Sequence, residues 1–202
     1  MLGGLSNVSS AVQQMERINS IFTEHLRTAE GLFGLSSQVS EAVDIVYKSL
    51  AGGGQLLVAG NGGSAADAQH IVAELTGRFM RERQPFRALA LHANTSALTA
   101  IGNDYGFEHV FARELTAHGR SADVLLAIST SGNSMNILKA IEAARNIKMH
   151  VIGLTGDTGG KMREVCDVCL CIPSKATARI QEMHITIGHA ICELLEERLA
   201  QP

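Results

Sequence analysis

Apolar and polar positions follow two different rhythms along this chain. Over the first fifty residues the apolar positions recur every three to four: Val8, Val12, Met15, Ile18, Phe22 and Leu26, then Val39, Val43, Val46 and Leu50. That is the period of a helix face, so this stretch reads as two helices, the second over about Ser36 to Leu50. Gly31-Leu32-Phe33-Gly34 makes the turn between them, and Gly52-Gly53-Gly54 ends the pattern. Short unbroken apolar runs then take over, at Gln55–Ala59, Arg87–Leu91, Asp123–Ile128, Met149–Leu154 and Asp167–Ile172. Helix-compatible stretches follow them, at Ala65–Arg78, Ser96–Ala100, Glu108–His118, Ser134–Asn146 and Ala176–Leu199. Strands written as continuous apolar runs are buried on both faces, and their alternation with helices predicts a parallel sheet covered on each side. The expected fold class is α/β: a single domain with a flavodoxin-like, doubly wound, five-stranded parallel sheet and N-terminal helices. Residues 1–52 make the helical segment and residues 53–202 the sheet-bearing body.

Two loops in this pattern carry candidate chemistry. Gly60-Asn61-Gly62-Gly63-Ser64 follows the first strand, and Ser129-Thr130-Ser131-Gly132-Asn133-Ser134 follows the third. A loop between a buried strand and a helix start presents backbone N–H groups and the positive end of the helix dipole, which suits phosphate. Neither loop contains Lys or Arg, so hydroxyls and amides would hold the anion; Ser134 also reads as the N-cap of the next helix. Gly60 to Ala65 matches the dinucleotide pattern G-x-G-x-x-A, but the next strand ends Leu91-His92-Ala93-Asn94, without the carboxylate that would hold a ribose. No Gly-Lys-Ser/Thr is present to make a P-loop. His70 and Glu74 lie four apart on one helix face, which suits two ligands of one metal, a base with its partner, or a plain surface pair. Gln181 and His189 are eight apart on the last helix, about 12 Å along its axis, and that spacing alone suggests no shared site.

Composition narrows the picture. With 17 basic and 20 acidic residues the net charge is −3, and aromatics make up 4% with no Trp. Neither a broad basic surface nor stacking platforms for nucleic acid are expected. No apolar run reaches membrane-spanning length and the N-terminus has no signal-peptide pattern, so a cytoplasmic protein is expected. Cys166, Cys169 and Cys171 form C-x2-C-x-C; Val168 to Ile172 reads as a buried strand in which Cys acts as a small apolar residue, with a metal site or disulfide as the alternative.

Several further motifs occur in order: Glu74-Leu75-Thr76-Gly77-Arg78-Phe79, Gly102-Asn103-Asp104-Tyr105-Gly106-Phe107, Leu154-Thr155-Gly156 with Gly159-Gly160, and Arg179-Ile180-Gln181-Glu182-Met183-His184. Together with the two loops they resemble the sugar isomerase (SIS) family, and within it the phosphoheptose isomerases, from about the first strand to the last helix. The resemblance implies interconversion of sedoheptulose 7-phosphate and D-glycero-D-manno-heptose 7-phosphate through an enediol, supplying heptose to lipopolysaccharide or other surface glycans. It implies that Ser129, Thr130, Ser131 and Ser134 bind the phosphate of a phosphosugar substrate. Asn61, Gly62, Gly63, Ser64, Asn103 and Asp104 would line the rest of the sugar, and Arg78 would touch substrate or order the site. His70, Glu74, Gln181 and His189 would bind one zinc per subunit, Glu74 and Gln181 would also face substrate, and Glu74 and His189 would be the catalytic pair. The implied assembly is a cytoplasmic homotetramer. A non-catalytic branch of the family, whose members associate with the replication initiator, shares Ser64-Ala65-Ala66 and Arg179 to His184; it lacks the acid and base positions that this chain keeps. An isomerase of another phosphosugar is the third reading. Some heptose isomerases carry Asp where this chain has Ala178.

Overall fold

The computed structural model describes residues 4–200. Residues 1–3 and 201–202, at the ends of the two predicted segments, and the side chain of Val8, placed first on the N-terminal apolar face, lie outside the described residues. Helix α1 runs Gly4–Glu30, a 3-10 turn at Gly31–Leu35 reverses the chain, and α2 runs Ser36–Ala51. The parallel alternation follows: β1 Leu56–Gly60, α3 Gly63–Thr76, β2 Ala88–Ala90, α4 Thr95–Tyr105, α5 Val110–His118, β3 Val124–Ile128, α6 Met135–Asn146, β4 His150–Thr155, β5 Val168–Cys171 and α7 Thr177–Leu199. The sheet order is β2-β1-β3-β4-β5 and every pairing is parallel. This is the doubly wound order whose direction reverses between β1 and β3, and ligands bind such sheets at the carboxyl ends of those two strands. Both hydroxyl- and glycine-rich loops leave the sheet there.

Alternate residues of each strand feed opposite cores. Leu56, Val58, Leu126 and Leu154 pack with α2, α3 and α7, whereas Leu57, Ala59, Leu125 and Val151 pack with α5 and α6. Ala42, Val43 and Val46 bring α2 fully into the first core. Helix α1 behaves differently. Val12, Met15, Ile18, Phe22 and Leu26 form one apolar stripe that is 40–63% exposed in the isolated chain. The flank of α1 beside this stripe is held to α7: Arg179 donates to the Ile21 carbonyl at 3.2 Å, and His25 Nδ1 lies 2.8 Å from Glu182 Oε2.

The structure corrects the reading of the cysteine strand. β5 is an edge strand, and Val168 and Leu170 are buried while Cys169 and Cys171, on its other face, are only half-buried. Among the described residues the 3-10 turn Gly160–Glu164, and not a helix layer, lies beside that face. The short predicted helix at Ser96–Ala100 extends through Asn103 and Asp104 to Tyr105, where Gly106 at φ +90° ends it. Asn94 caps its start by accepting from the Ala97 N–H at 3.1 Å.

His184 of α7 is fully buried and donates Nε2–H to the Thr155 carbonyl, 3.1 Å away, at the end of β4. Burial lowers its pKa to about 4 from the ordinary 6.5. Between those values the unfolded chain binds a proton that the folded chain refuses, so stability declines as pH falls from about 6.5 toward 4. His184→Gln keeps an N–H for Thr155 and removes the titration. Chemical denaturation across this range is expected to show a flatter acid limb in the variant, by up to about 3 kcal/mol. An unchanged limb would place the acid sensitivity elsewhere.

Candidate active site

The β3 loop is built as a hydroxyl cluster. Ser129 is buried, and its Oγ lies 3.0 Å from Ser134 Oγ and 3.4 Å from Ser131 Oγ. Ser134 occupies the N-cap position of α6, but its side chain makes no cap hydrogen bond. The expected cap therefore does not form: the hydroxyl turns toward Ser129, and among the described residues the first N–H groups of α6 have no side-chain partner. Gly132, at φ +64°, lets the loop turn flat against Gly159, whose carbonyl a Cβ would strike. Beside it opens a cavity of about 240 Å³, lined by Thr130, Ser131, Asp157, Thr158, Ser174 and Lys175. Lys175 brings a cation to the lining of this cavity, facing a loop that has none of its own, with Asp157 on the same lining. Sequence reasoning missed it because it precedes α7, some forty residues beyond the loop, and no local pattern links the two.

The β1 loop is tied to the β3 side across the switch point. Asn61 and Asn136 exchange reciprocal amide hydrogen bonds of 2.9 and 2.8 Å. Gly62 and Gly63 are exposed at the start of α3, and Ser64 is buried under them. Gln181 of α7 lays its carboxamide against Gly63, where a Cβ would come within 2.5 Å of Nε2.

The third group lies between α3 and α7. His70 Nε2 is 3.1 Å from Glu74 Oε1 and 3.2 Å from His189 Nε2, so the three ligand atoms converge. The helices approach this closely because residue 188 is glycine: a Cβ there would stand 2.7 Å from Ile71 Cδ1 and 2.8 Å from Cγ1. Phe79, just after α3, tilts its ring onto His189 with centroids 5.7 Å apart. Asp67, one turn before His70, has one buried carboxylate oxygen without a partner among the described residues, and burial raises its pKa against the opposing charge of His70. Gly188 and Asp67 carry no motif signal in a single sequence, and Phe79, though it closes the Glu74–Phe79 motif, gives no sign there that it meets His189. We expect Gly188→Ala to cost about 1–3 kcal/mol by overpacking and to reduce activity by parting His189 from His70 and Glu74. Ile71→Val in the same chain should recover part of both, as read by urea melts and turnover. Full activity in Gly188→Ala would remove close helix approach from the argument.

Two imidazole nitrogens and a carboxylate oxygen suit zinc. Ligand bonds of about 2.0–2.1 Å at tetrahedral angles leave neighbouring donor atoms about 3.3 Å apart, close to the 3.1 and 3.2 Å edges here. Gln181 makes no hydrogen bond to these three among the described residues. Asn103 and Asp104 are exposed on the last turn of α4, and their one side-chain hydrogen bond among the described residues is to each other. Arg78 is exposed and lies 4.0 Å from Glu82. Two further residues of the last motif serve architecture: Arg179 binds Glu182 and the Ile21 carbonyl, fixing α1.

Comparison with known proteins places this site in a family. The SIS domain matches residues 14–156. A phosphoheptose isomerase of Rhodospirillum rubrum is 59% identical over 161 residues, covering 80% of this chain and 86% of that protein. One from Helicobacter hepaticus is 50% identical over 184 residues, 91% of this chain and 94% of that protein. The solved structure of a phosphoheptose isomerase from Neisseria gonorrhoeae superposes with a TM-score of 0.86 at 46% identity, over 91% of this chain and 99% of that one. One from Francisella tularensis gives 0.88 at 37% identity, over 91% and 98%. The chain belongs to the SIS domain family, among its phosphoheptose isomerases.

Proposed function

We propose that the chain interconverts sedoheptulose 7-phosphate and D-glycero-D-manno-heptose 7-phosphate, supplying heptose for lipopolysaccharide or other surface glycans. The observation that carries this is the meeting of Glu74 and His189 at His70, on the same chain as a hydroxyl loop that leaves the carboxyl end of the central strand and suits phosphate. Moving a proton between C1 and C2 through an enediol requires a base on carbon, a group to manage the oxygens, and stabilisation of developing negative charge. Glu74 takes the carbon proton and His189 acts as acid/base on the other side of the sugar. Ser129, Thr130, Ser131 and Ser134 hold the phosphate with the open N–H groups of α6. Asn61, Gly62, Gly63 and Ser64 line the chain of hydroxyls, with Asn103 and Asp104 closing over it. Fixing the substrate at its phosphate end supplies orientation for the proton transfer at the other. His70, Glu74 and His189, with Gln181, would hold zinc, which when bound polarises the sugar oxygens.

The proposed assembly is a cytoplasmic homotetramer. The exposed stripe from Val12 to Leu26 supports it, as does the nearby apolar hollow lined by Leu32, Phe33, Val39, Ile187, Ala190 and Leu194. No described helix is long and apolar enough to cross a membrane. Light scattering tests the assembly, and a monomer at working concentration would reject it. A substrate panel tests the activity. Turnover of sedoheptulose 7-phosphate well above that of ketopentose phosphates is expected. Preference for a pentose phosphate would replace the substrate, and no turnover of any phosphosugar would reject the enzyme.

A further inference from the structure

The C-x2-C-x-C cluster is not used by the proposed reaction, and its surroundings are specific. Cys169 Sγ and Cys171 Sγ stand 3.8 Å apart on the half-open face of β5. The Thr155 hydroxyl on β4 donates to Cys171 Sγ at 3.4 Å and lies 3.7 Å from Cys169 Sγ. Register sets Gly153 opposite Cys169. A Cβ at residue 153 would lie 2.9 Å from Cys166 Sγ, 3.1 Å from Met162 Cε and 3.4 Å from Cys169 Sγ, so the absence of a side chain at Gly153 lets both sulfurs pack beside β4 together with Met162.

The local charge favours one thiolate. Hydrogen bonding from Cys166 draws the Cys169 thiol well below its ordinary range against the cost of burial, and hydrogen bonds from Thr155 and Cys171 and the charge of Arg163 add to this. The same contact raises Cys166. Burial raises Cys171. Half-exposed thiolates near cations are the cysteines that react, and buried ones are inert. Cys192 is of the second kind: it is fully buried, and burial pushes its thiol up to about 12.

We propose that Cys169 is an oxidative modification site, oxidised by hydroperoxides and resolved by Cys166. The Cys169 thiolate attacks the terminal peroxide oxygen; an S–O bond forms, the O–O bond breaks, and the departing alkoxide takes a proton to leave as alcohol, or as water from hydrogen peroxide. Cys169 is then a sulfenic acid. Cys166 gives up its proton and attacks that sulfur; the S–S bond forms, and the S–O bond breaks as water leaves. Two thiols lose two electrons and the peroxide gains them. Cys166 resolves rather than Cys171 because residues two apart on a strand have Cα atoms about 6.6 Å apart, the wide end for a disulfide. Cys166 precedes the strand, where the chain can close.

The pair is also linked to the hydroxyl loop. The Cys166 N–H bonds the Met162 carbonyl at 3.0 Å, and the Met162 N–H bonds the Gly132 carbonyl at 3.1 Å. Drawing Cys166 toward Cys169 pulls on Gly132 through these two bonds. This consequence rests on the phosphosugar reading of that loop, whereas the thiol chemistry does not.

Hydrogen peroxide applied to the whole native protein, with sulfenic acid trapping and non-reducing peptide mapping, tests the chemistry. Cys169 should react at least about tenfold faster than Cys192, and a Cys166–Cys169 disulfide should form and be reversed by dithiothreitol. Cys166→Ser should leave the sulfenic acid on Cys169 without the disulfide, and Cys169→Ser should abolish both. Cys169 reacting no faster than Cys192 overturns the site. A disulfide from Cys169 to Cys171 forming equally fast in Cys166→Ser overturns the role of Cys166. The first comparison is made within the native chain, so it stands even where a variant misfolds. In the oxidised protein the KM for sedoheptulose 7-phosphate should rise at least about threefold and return on reduction; an unchanged KM with the disulfide fully formed overturns the link to the loop.

Discussion

Glu74→Gln is expected to lower kcat by about a thousandfold or more, within the range that positioned acid–base groups contribute, while circular dichroism and melting stay close to native. The substitution keeps the shape of the side chain and one oxygen facing His70, and removes the basic carboxylate. Glu74 is half-buried on the face of α3 that meets α7, and its partner His70 lies one turn earlier. Metal content measured on the same samples separates its two proposed roles. A variant that binds zinc as the native protein does and is still inactive identifies Glu74 as the base. One that loses zinc and activity together, with activity restored by excess zinc, identifies it chiefly as a ligand. A rate within about threefold of native would remove it from the chemistry. His189→Gln should lose rate on a similar scale, because no other described side chain brings a second acid–base group to His70 across the helix interface.

The fold is legible in the sequence because two periodicities suffice for it. Unbroken apolar runs can be buried only between two layers of helices, and five such runs alternating with helices leave few sheets to build. The loops at the switch point are legible for the same reason, since their place follows from the strands they leave. Convergence is not legible. His70 and His189 are 119 positions apart, and they meet because Gly188 lets α7 press on Ile71. Lys175 and Asp157 reach the hydroxyl loop only through the parallel stacking of β3, β4 and β5. The last motif divides in three directions that no spacing reveals: Arg179 and Glu182 to α1, Gln181 to Gly63, and His184 to the end of β4. The cysteine strand misleads on one face because an apolar run does not distinguish an edge strand from a central one.

Glu196→Gln is expected to cost about 3–5 kcal/mol, the usual result of leaving one charge of a buried pair unmatched. Glu196 lies on α7 two turns after His189, and its carboxylate is buried. It accepts from the backbone N–H groups of Phe79, Met80 and Arg81 at 3.1, 2.8 and 2.8 Å, and from Arg83 Nε at 2.9 Å. Burial alone would raise its pKa, but these four donors outweigh it and hold the carboxyl below its ordinary value. A group depressed in this way stabilises the fold above its unfolded pKa, and that contribution fades as pH falls through the folded value. Arg83 is equally buried and stacks 3.9 Å over Phe86. It donates to the carbonyls of Glu74 at 2.7 Å and Leu75 at 2.9 Å, closing the end of the helix that carries Glu74. One ion pair therefore fixes the exit of α3 to α7 and sets Phe79 against His189. The amide introduced by the substitution would keep an acceptor for the backbone but leave the guanidinium buried without a counter-charge. Urea melts at matched protein concentration should show the loss, and at low denaturant the folded variant should turn over more slowly with KM little changed. A loss below about 1 kcal/mol would mean that water or neighbouring carbonyls satisfy Arg83 unaided.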